Sequence, residues 1–287
     1  MSIRIILKLA RRSHGAYYDD TAYNYPVKVW LTMTSLASRL ALVQDQLAQA
    51  AQRANRSIDE ICLVGVSKTH PAELVREALD AGLRHFGENR VQEAEGKVAA
   101  LADVRENIHW HLIGQLQRNK AKKAASFANM IHSIDSLRLA EFLNRVTGEL
   151  QTEGKTAAHP LPILLEVNVS GEESKSGFAL AQWQENPAQR DRFLAEVEQV
   201  VAMPHLRLAG LMTVAPWGDD PEEARPTFRS TRLLRDLLAQ KFPQADLSTL
   251  SMGMSDDFAV AIEEGSTMVR IGRAIFGARP PISPQAS

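Results

Sequence analysis

The hydrophobic positions of the chain switch repeatedly between two spacings. Ile61-Cys62-Leu63-Val64-Gly65-Val66 is an unbroken apolar run closed by Ser67-Lys68-Thr69-His70-Pro71. A run of that length without polar alternation reads as a strand covered on both faces, as in a parallel sheet. Upstream, Leu36, Leu40, Val43, Leu47, Ala50, Ala51 and Ala54 recur at helical intervals, from the cap candidates Thr34 and Ser35 to a stop at Asn55. Downstream, a helix over 72–81 ends at Gly82, and a strand over 83–87 leads to Glu88 and Asn89. A helix over 91–101 precedes a strand over 108–113, and a basic helix over 118–128 precedes a strand over 130–135. Ser136 can cap a helix whose buried side is Leu139, Leu143, Val146 and Leu150. The polar segment 151–161 reads as a surface connection, because the alternation resumes at once. Strands over 163–169, 206–213, 247–252 and 267–272 then alternate with helices over 190–202, 226–242 and 258–264. Eight strands alternating with helices from Met33 onward predict an α/β protein with a single (β/α)8 TIM barrel, which typically takes roughly 250 residues. A doubly wound open sheet is the alternative, but no dinucleotide-type glycine fingerprint follows the first strand.

Composition divides the chain. All four tyrosines, Tyr17, Tyr18, Tyr23 and Tyr25, fall in the first 25 residues, and that segment is basic. Lys8 interrupts its one apolar stretch, which argues against a secretory signal. Residues 1–32 are therefore expected to be an extension, disordered or not native, and residues 33–287 the folded domain. The net charge of −1 gives no field to recruit nucleic acid or an anionic membrane. Arg118, Lys120, Lys122 and Lys123, without interleaved aromatics, read as a solvated helix face. With the single cysteine Cys62 in the buried strand, no intrachain disulfide can form, and the cytoplasm is the simplest compartment. No apolar run approaches the length of a membrane span.

Chemistry enters at the strand ends. Barrels and open α/β sheets bind ligands at the carboxyl ends of their strands. There the eight strands present Lys68, Asn89, His111, Ser133 with Asp135, Asn168, Met212 with Thr213, Ser251 and Arg270. Val64, Val66 and Lys68 share one face by the period of two. If that face lines a closed barrel, desolvation disfavours the ammonium form, and such a lysine can form a Schiff base with a carbonyl. Taken alone, the run favours a plainer reading, a solvated lysine at a loop mouth. The seventh strand, however, runs into Ser251-Met252-Gly253-Met254-Ser255-Asp256-Asp257, and the eighth ends in Arg270-Ile271-Gly272-Arg273. Barrels frequently bind phosphate with these two loops and a short helix's positive end, and Gly253 permits close backbone approach. Simple turn and cap formation is the competing explanation. Asp256 and Asp257 are expected to face the helix start rather than an anion that they would repel. Barrel closure sets strand eight beside strand one, so a ligand spanning Lys68 and these loops carries an aldehyde and a phosphate, which describes pyridoxal phosphate. Arg270, placed on the pyridine nitrogen, would keep it unprotonated and weaken the ring as an electron sink. A structural arginine paired with Glu166 or Asp135 explains it equally well.

Further blocks carry a family resemblance. They are Val64-Gly65-Val66-Ser67-Lys68-Thr69, Phe86-Gly87-Glu88-Asn89-Arg90-Val91-Gln92-Glu93, Trp110-His111-Leu112-Ile113-Gly114-Gln115-Leu116-Gln117-Arg118-Asn119-Lys120, His132-Ser133-Ile134-Asp135-Ser136, Val167-Asn168-Val169-Ser170, Lys175-Ser176-Gly177-Phe178 and Gly210-Leu211-Met212-Thr213, with the two closing loops. In this order they resemble the pyridoxal phosphate homeostasis proteins, single barrels similar to the amino-terminal domain of alanine racemase, of fold type III and without that enzyme's second β-domain. The resemblance covers about Leu36 to Gly277. It implies that Lys68 carries the internal aldimine, that Asn89 and Asn168 line the ring's pocket, and that Arg270 faces the pyridine nitrogen. It further implies that Ser251, Gly253, Ser255 and Gly272 hold the phosphate. His111 and Met212, at the same mouth, complete the expected cofactor-binding set. Arg273 departs from the small residue common there, and the extension before Met33 is not part of the family pattern.

The resemblance implies a carrier or buffer of the cofactor, with pyridoxal phosphate-dependent enzymes as acceptors and the chain acting as a monomer. An amino-acid racemase or lyase is the alternative. Two-base racemisation on this fold needs a second base, a tyrosine in alanine racemase, and the body of this chain has none; His111 is the substitute considered. A metal-dependent hydrolase built on His109, His111 and His132 is a third, weaker reading, and no metal is expected.

Overall fold

The computed structural model describes residues 35–155 and 160–278. The expectation about residues 1–32 falls outside the described residues. Helix α1 (Leu36–Arg53) starts under a cap from Ser35, whose hydroxyl accepts from the Ser38 amide at 3.2 Å, and buries Leu36, Leu40, Val43, Leu47 and Ala50. The alternation that follows is β1 (Cys62–Val66), α2 (Ala72–Asp80), β2 (His85–Glu88), α3 (Val91–Ala100), β3 (His109–Leu112), α4 (Ala121–Phe127), β4 (Met130–Ile134), α5 (Leu137–Thr152) and β5 (Leu161–Asn168). The chain continues through β6 (Phe178–Ala179), α6 (Pro187–Val201), β7 (Leu206–Met212), α7 (Arg225–Lys241), β8 (Thr249–Ser251), α8 (Phe258–Glu263), β9 (Met268–Ile271) and α9 (Arg273–Phe276).

The strands lie in the order β4-β3-β2-β1-β9-β8-β7-β5-β6, and a further pairing of β4 with β5 closes the ring. All pairings are parallel, so eight strands form a TIM barrel with helices between them, while the two-residue β6 adds to the end of β5. The closed barrel excludes the open sheet. Which residues face inward follows from Gly65, where a Cβ would run into Leu83 and Phe276 of the helical layer. Its neighbours Val64 and Val66 therefore point into the barrel, and Lys68 stands in the turn just past the end of the strand. Two bulges adjust the ring, one between Ile131 and Ile134 of β4 and one opposite Ile163 and Leu164 of β5. At the second, Gly210 of β7 takes φ +148°, a conformation that glycine alone adopts without strain, and a Cβ would strike the Thr249 carbonyl.

Some boundaries differ from expectation. Helix α6 begins at Pro187 under a cap from Asn186, three residues before the expected start, because an Asn-Pro start needs no apolar residue. The expected helix over 118–128 divides into a 3-10 turn at Arg118–Lys120 and α4. Its basic residues meet acids, with Lys122 3.2 Å from Glu149 and Lys123 3.1 Å from Glu95, which makes the face a paired surface. Among the described residues no helix is long and apolar enough to cross a membrane.

Candidate functional site

At the carboxyl end of the barrel, Lys68 sits half-buried in a turn that is held from behind. Thr69 has φ +68°, which a β-branched residue adopts only under constraint. The constraint comes from α3. Glu93 Oε1 accepts from the Thr69 amide at 2.5 Å, and Lys97 Nζ, only 5% exposed, donates to the Ser67 carbonyl at 2.7 Å. Lys97 also donates to Glu88 Oε1 at 2.6 Å and Glu93 Oε1 at 2.7 Å, and the Ser67 hydroxyl donates to Glu88 at 2.6 Å. Burial pushes the Glu88 carboxyl up against the pull of Lys97. The residues flanking Lys68 on both sides are thus bonded to one buried ion-pair cluster between the barrel and α3. The sequence reading did not include Lys97, yet Val91, Ala94 and Lys97 form the helix's buried stripe, so a lysine at that spacing was the available signal.

The closing strands meet this turn directly. Val64 pairs with Arg270 and Gly65 with Ile271, and a Cβ on Gly272 would lie 3.1 Å from the Val66 carbonyl oxygen. The Gly272 turn therefore lies against the strand that delivers Lys68. Gly253, at φ +96°, presses on α8, where a Cβ would fall 2.7 Å from that of Ala261. The two aspartates were expected to face the helix start, but Asp257 makes no side-chain cap bond to α8, and both serve the loop itself. Asp257 Oδ1 accepts from the Met254 amide at 2.6 Å, and Asp256 pairs with Arg273 at 2.9 Å, which turns Arg273 outward.

Arg270 is 5% exposed and makes contact bonds to three oxygens, none of them carboxylate. Nη1 donates to the Ser251 carbonyl at 2.6 Å and its hydroxyl at 2.7 Å, and Nη2 donates to the Thr213 carbonyl at 2.9 Å. Burial lowers its pKa to about 10, against the longer-range pull of Asp257 and Glu166. The expected alternative of direct pairing with Glu166 or Asp135 is not the arrangement found. The Nε–H and one Nη2–H have no acceptor among the described residues.

The other expected residues divide into two groups. Met212 is buried on β7, and Asn89, at the end of β2, has its Oδ1 buried without a partner among the described residues. Asn168 instead organises the loop after β5, donating to the Glu172 carbonyl at 2.9 Å and accepting from the Ser170 hydroxyl and the Gly171 amide at 3.0 Å. The Ser251 hydroxyl is committed to Arg270 and to His132, at 3.0 Å. His111 is enclosed by other histidines, with Nε2 3.0 Å from His85 Nδ1 and Nδ1 2.8 Å from His132 Nε2. Among the described residues, no group of three His, Cys, Asp or Glu side chains is arranged to hold a metal ion.

Glu166, which pairs with Met212 across β5 and β7, has its pKa raised to about 7, first by burial and then by Asp135, with Arg270 opposing. A carboxyl whose folded pKa lies above its unfolded value stabilises the fold below the unfolded pKa and loses that contribution as pH rises through the folded one. Between about pH 4.5 and 7 the wild-type chain should therefore lose stability relative to Glu166→Gln, by on the order of 2 kcal/mol. Urea denaturation of both proteins across that range checks this, and parallel curves would refute it.

Residues 39–280 match the family model described as the alanine racemase N-terminal domain. A pyridoxal phosphate homeostasis protein of Pseudomonas aeruginosa is 44% identical over 248 residues, which span 86% of this chain and 97% of that protein. The structure of PipY from Synechococcus elongatus with pyridoxal phosphate bound aligns at a TM-score of 0.70 and 39% identity, covering 85% of this chain and all of that one. An alanine racemase of Clostridium difficile shares the fold alone, at a TM-score of 0.60 and 14% identity over 86% of this chain and 57% of that one. With a barrel that carries the matching blocks at its carboxyl mouth, the chain belongs to the family of pyridoxal phosphate homeostasis proteins.

Proposed function

We propose that this chain binds pyridoxal 5'-phosphate in the cytoplasm and takes part in its homeostasis, acting as a monomeric carrier whose acceptors are pyridoxal phosphate-dependent enzymes. The observation that carries the reading is the register of β1 on β9, which brings the Lys68 turn and the Gly272 turn together. The curated relatives and the ligand in PipY support it. The residues present fit the group. Asn89 offers a buried oxygen without a partner among the described residues, and Arg270 has N–H groups beyond the three bonds it makes. When bound, the cofactor supplies an aldehyde, a conjugated ring and a phosphate.

Lys68 would hold the group at its aldehyde end, where the lysine amine could bind it covalently. Gly253, Ser255 and Gly272 would hold its phosphate, Met212 and Asn89 would line the ring's pocket, and Arg270 would face the ring nitrogen. Asn168 acts by ordering its loop, while Ser251 and His111 act from behind Arg270. Residues 33–287 form the binding domain in this reading. No tyrosine in that domain can serve as the second base of racemisation, so holding and releasing the cofactor is favoured over turnover.

The test is a visible absorption spectrum of the purified protein with pyridoxal phosphate, before and after borohydride, followed by peptide mapping. A yellow species that borohydride bleaches and fixes to the Lys68 peptide is expected. Colour that dialyses away, or label on another lysine, overturns the proposal. Rapid exchange of the α-hydrogen of alanine or other amino acids by the same protein would favour the racemase or lyase.

A further inference from the structure

A string of polar side chains crosses the barrel beneath the mouth. Arg270 Nη1 donates to Ser251 Oγ at 2.7 Å, Ser251 Oγ lies 3.0 Å from His132 Nδ1, His132 Nε2 lies 2.8 Å from His111 Nδ1, and His111 Nε2 lies 3.0 Å from His85 Nδ1. The residues come from β9, β8, β4, β3 and β2. Strands β8 and β4 are not neighbours in the ring, so the Ser251–His132 bond spans the interior. Ser251 and His132 are fully buried and His111 is 3% exposed, whereas His85 begins β2 half-buried, its ring stacked 4.6 Å from that of the exposed His109.

The protons in this string are not independent. Burial is the first cause holding all three imidazoles neutral, with pKa values lowered to about 4 at His85, to about 3 at His111 and well below the ordinary value at His132. A neutral imidazole has one donor and one acceptor nitrogen, and each N···N contact shares a single hydrogen. Every bond must therefore point the same way. Arginine only donates, so the Ser251 oxygen receives its hydrogen, and the serine's own proton finds its acceptor at His132 Nδ1. The opposite direction would send two hydrogens to Ser251 Oγ, strand the serine proton, and aim the positive ends of the ring dipoles at a buried cation.

We infer that His132, His111 and His85 are positioning residues, an oriented imidazole string with its proton on Nε2 in every ring, that holds the Arg270 guanidinium toward the pocket and compensates its charge where no carboxylate touches it. The charged groups acting on Arg270 from other elements are Asp257, after β8, and Glu166, on β5; His109 acts on His85 and His111. The effect on the ligand rests on the function proposed above, but the tautomers do not.

Nitrogen-15 NMR of histidine-labelled, ligand-free protein at neutral pH tests the string. Protonated Nε2 and bare Nδ1 are expected at His85, His111 and His132, and protonated Nδ1 at His132 or any imidazolium there overturns the inference. His111→Phe should turn His132 into a tautomer mixture, speed solvent exchange of the Arg270 guanidinium protons, and weaken pyridoxal phosphate binding about tenfold, the worth of one charged hydrogen bond. His111→Asn, whose amide oxygen can take the Nδ1 position and accept from His132 Nε2–H, should restore part of each. Unchanged Arg270 exchange in a folded His111→Phe protein also defeats the inference. Wild-type protein that has these tautomers but binds no pyridoxal phosphate would instead refute the proposed function alone.

Discussion

Lys68→Ala is expected to abolish the borohydride-fixed pyridoxal label while leaving the barrel folded. The variant removes a half-buried side chain from a turn whose backbone is fixed by other groups, so far-ultraviolet circular dichroism and thermal unfolding should match the wild type closely. No neighbouring amine substitutes. Lys97, on the helix behind the turn, has its amine bonded to the Ser67 carbonyl, Glu88 and Glu93, and an amine so engaged and buried is no nucleophile. Residual binding through the closing turns and Arg270 should survive as weak, reversible association that borohydride does not fix to the chain. Label that persists at wild-type level in Lys68→Ala would remove the covalent assignment.

Lys97→Met should be the most damaging single change outside the pocket. It leaves the Glu88 carboxylate, fully buried, without its cation, and breaking a buried pair from one side costs about 3–5 kcal/mol. The neutral acid tolerates a dry site better than its anion does, and burial already pushes Glu88 up. The penalty should therefore be largest at high pH and shrink as the solution is acidified. Pairing the change with Glu88→Met should recover most of the loss, since apolar replacement of both partners is often neutral. The single variant should also slow adduct formation on Lys68, because the Ser67 carbonyl loses its anchor while Thr69 remains strained. Denaturation midpoints within about 1 kcal/mol of wild type across this range would refute the role given to Lys97.

Periodicity carried most of this architecture. The eight barrel strands and the helices between them were legible because each strand is an apolar run and each helix keeps a stripe, features that depend on neighbours only in general. Strand β6 was not legible, because two residues pairing with the end of β5 leave no period. Nor was the start of α6 at Pro187, where the helix is set by a cap rather than by an apolar face. At the mouth, Lys68, Arg270 and the Gly253 and Gly272 turns could be read from strand position, since position alone decides where a strand-end residue goes. What Ser251, Asn168 and His111 bond to could not. Their partners lie across the barrel or along a folded loop, and nothing in a linear pattern reports that His132 meets Ser251.

The pairing of β1 with β9 joins one of the first segments of the folded domain to one of the last. Helix α1 reinforces that seam, with Arg39 donating to the Ile275 carbonyl at 2.8 Å. During synthesis the lysine emerges some two hundred residues before the turn opposite it. No partial chain can assemble the grip, and a ligand that bridges the seam acts as a clasp on the finished ring, raising the cost of opening it by an amount set by ligand concentration.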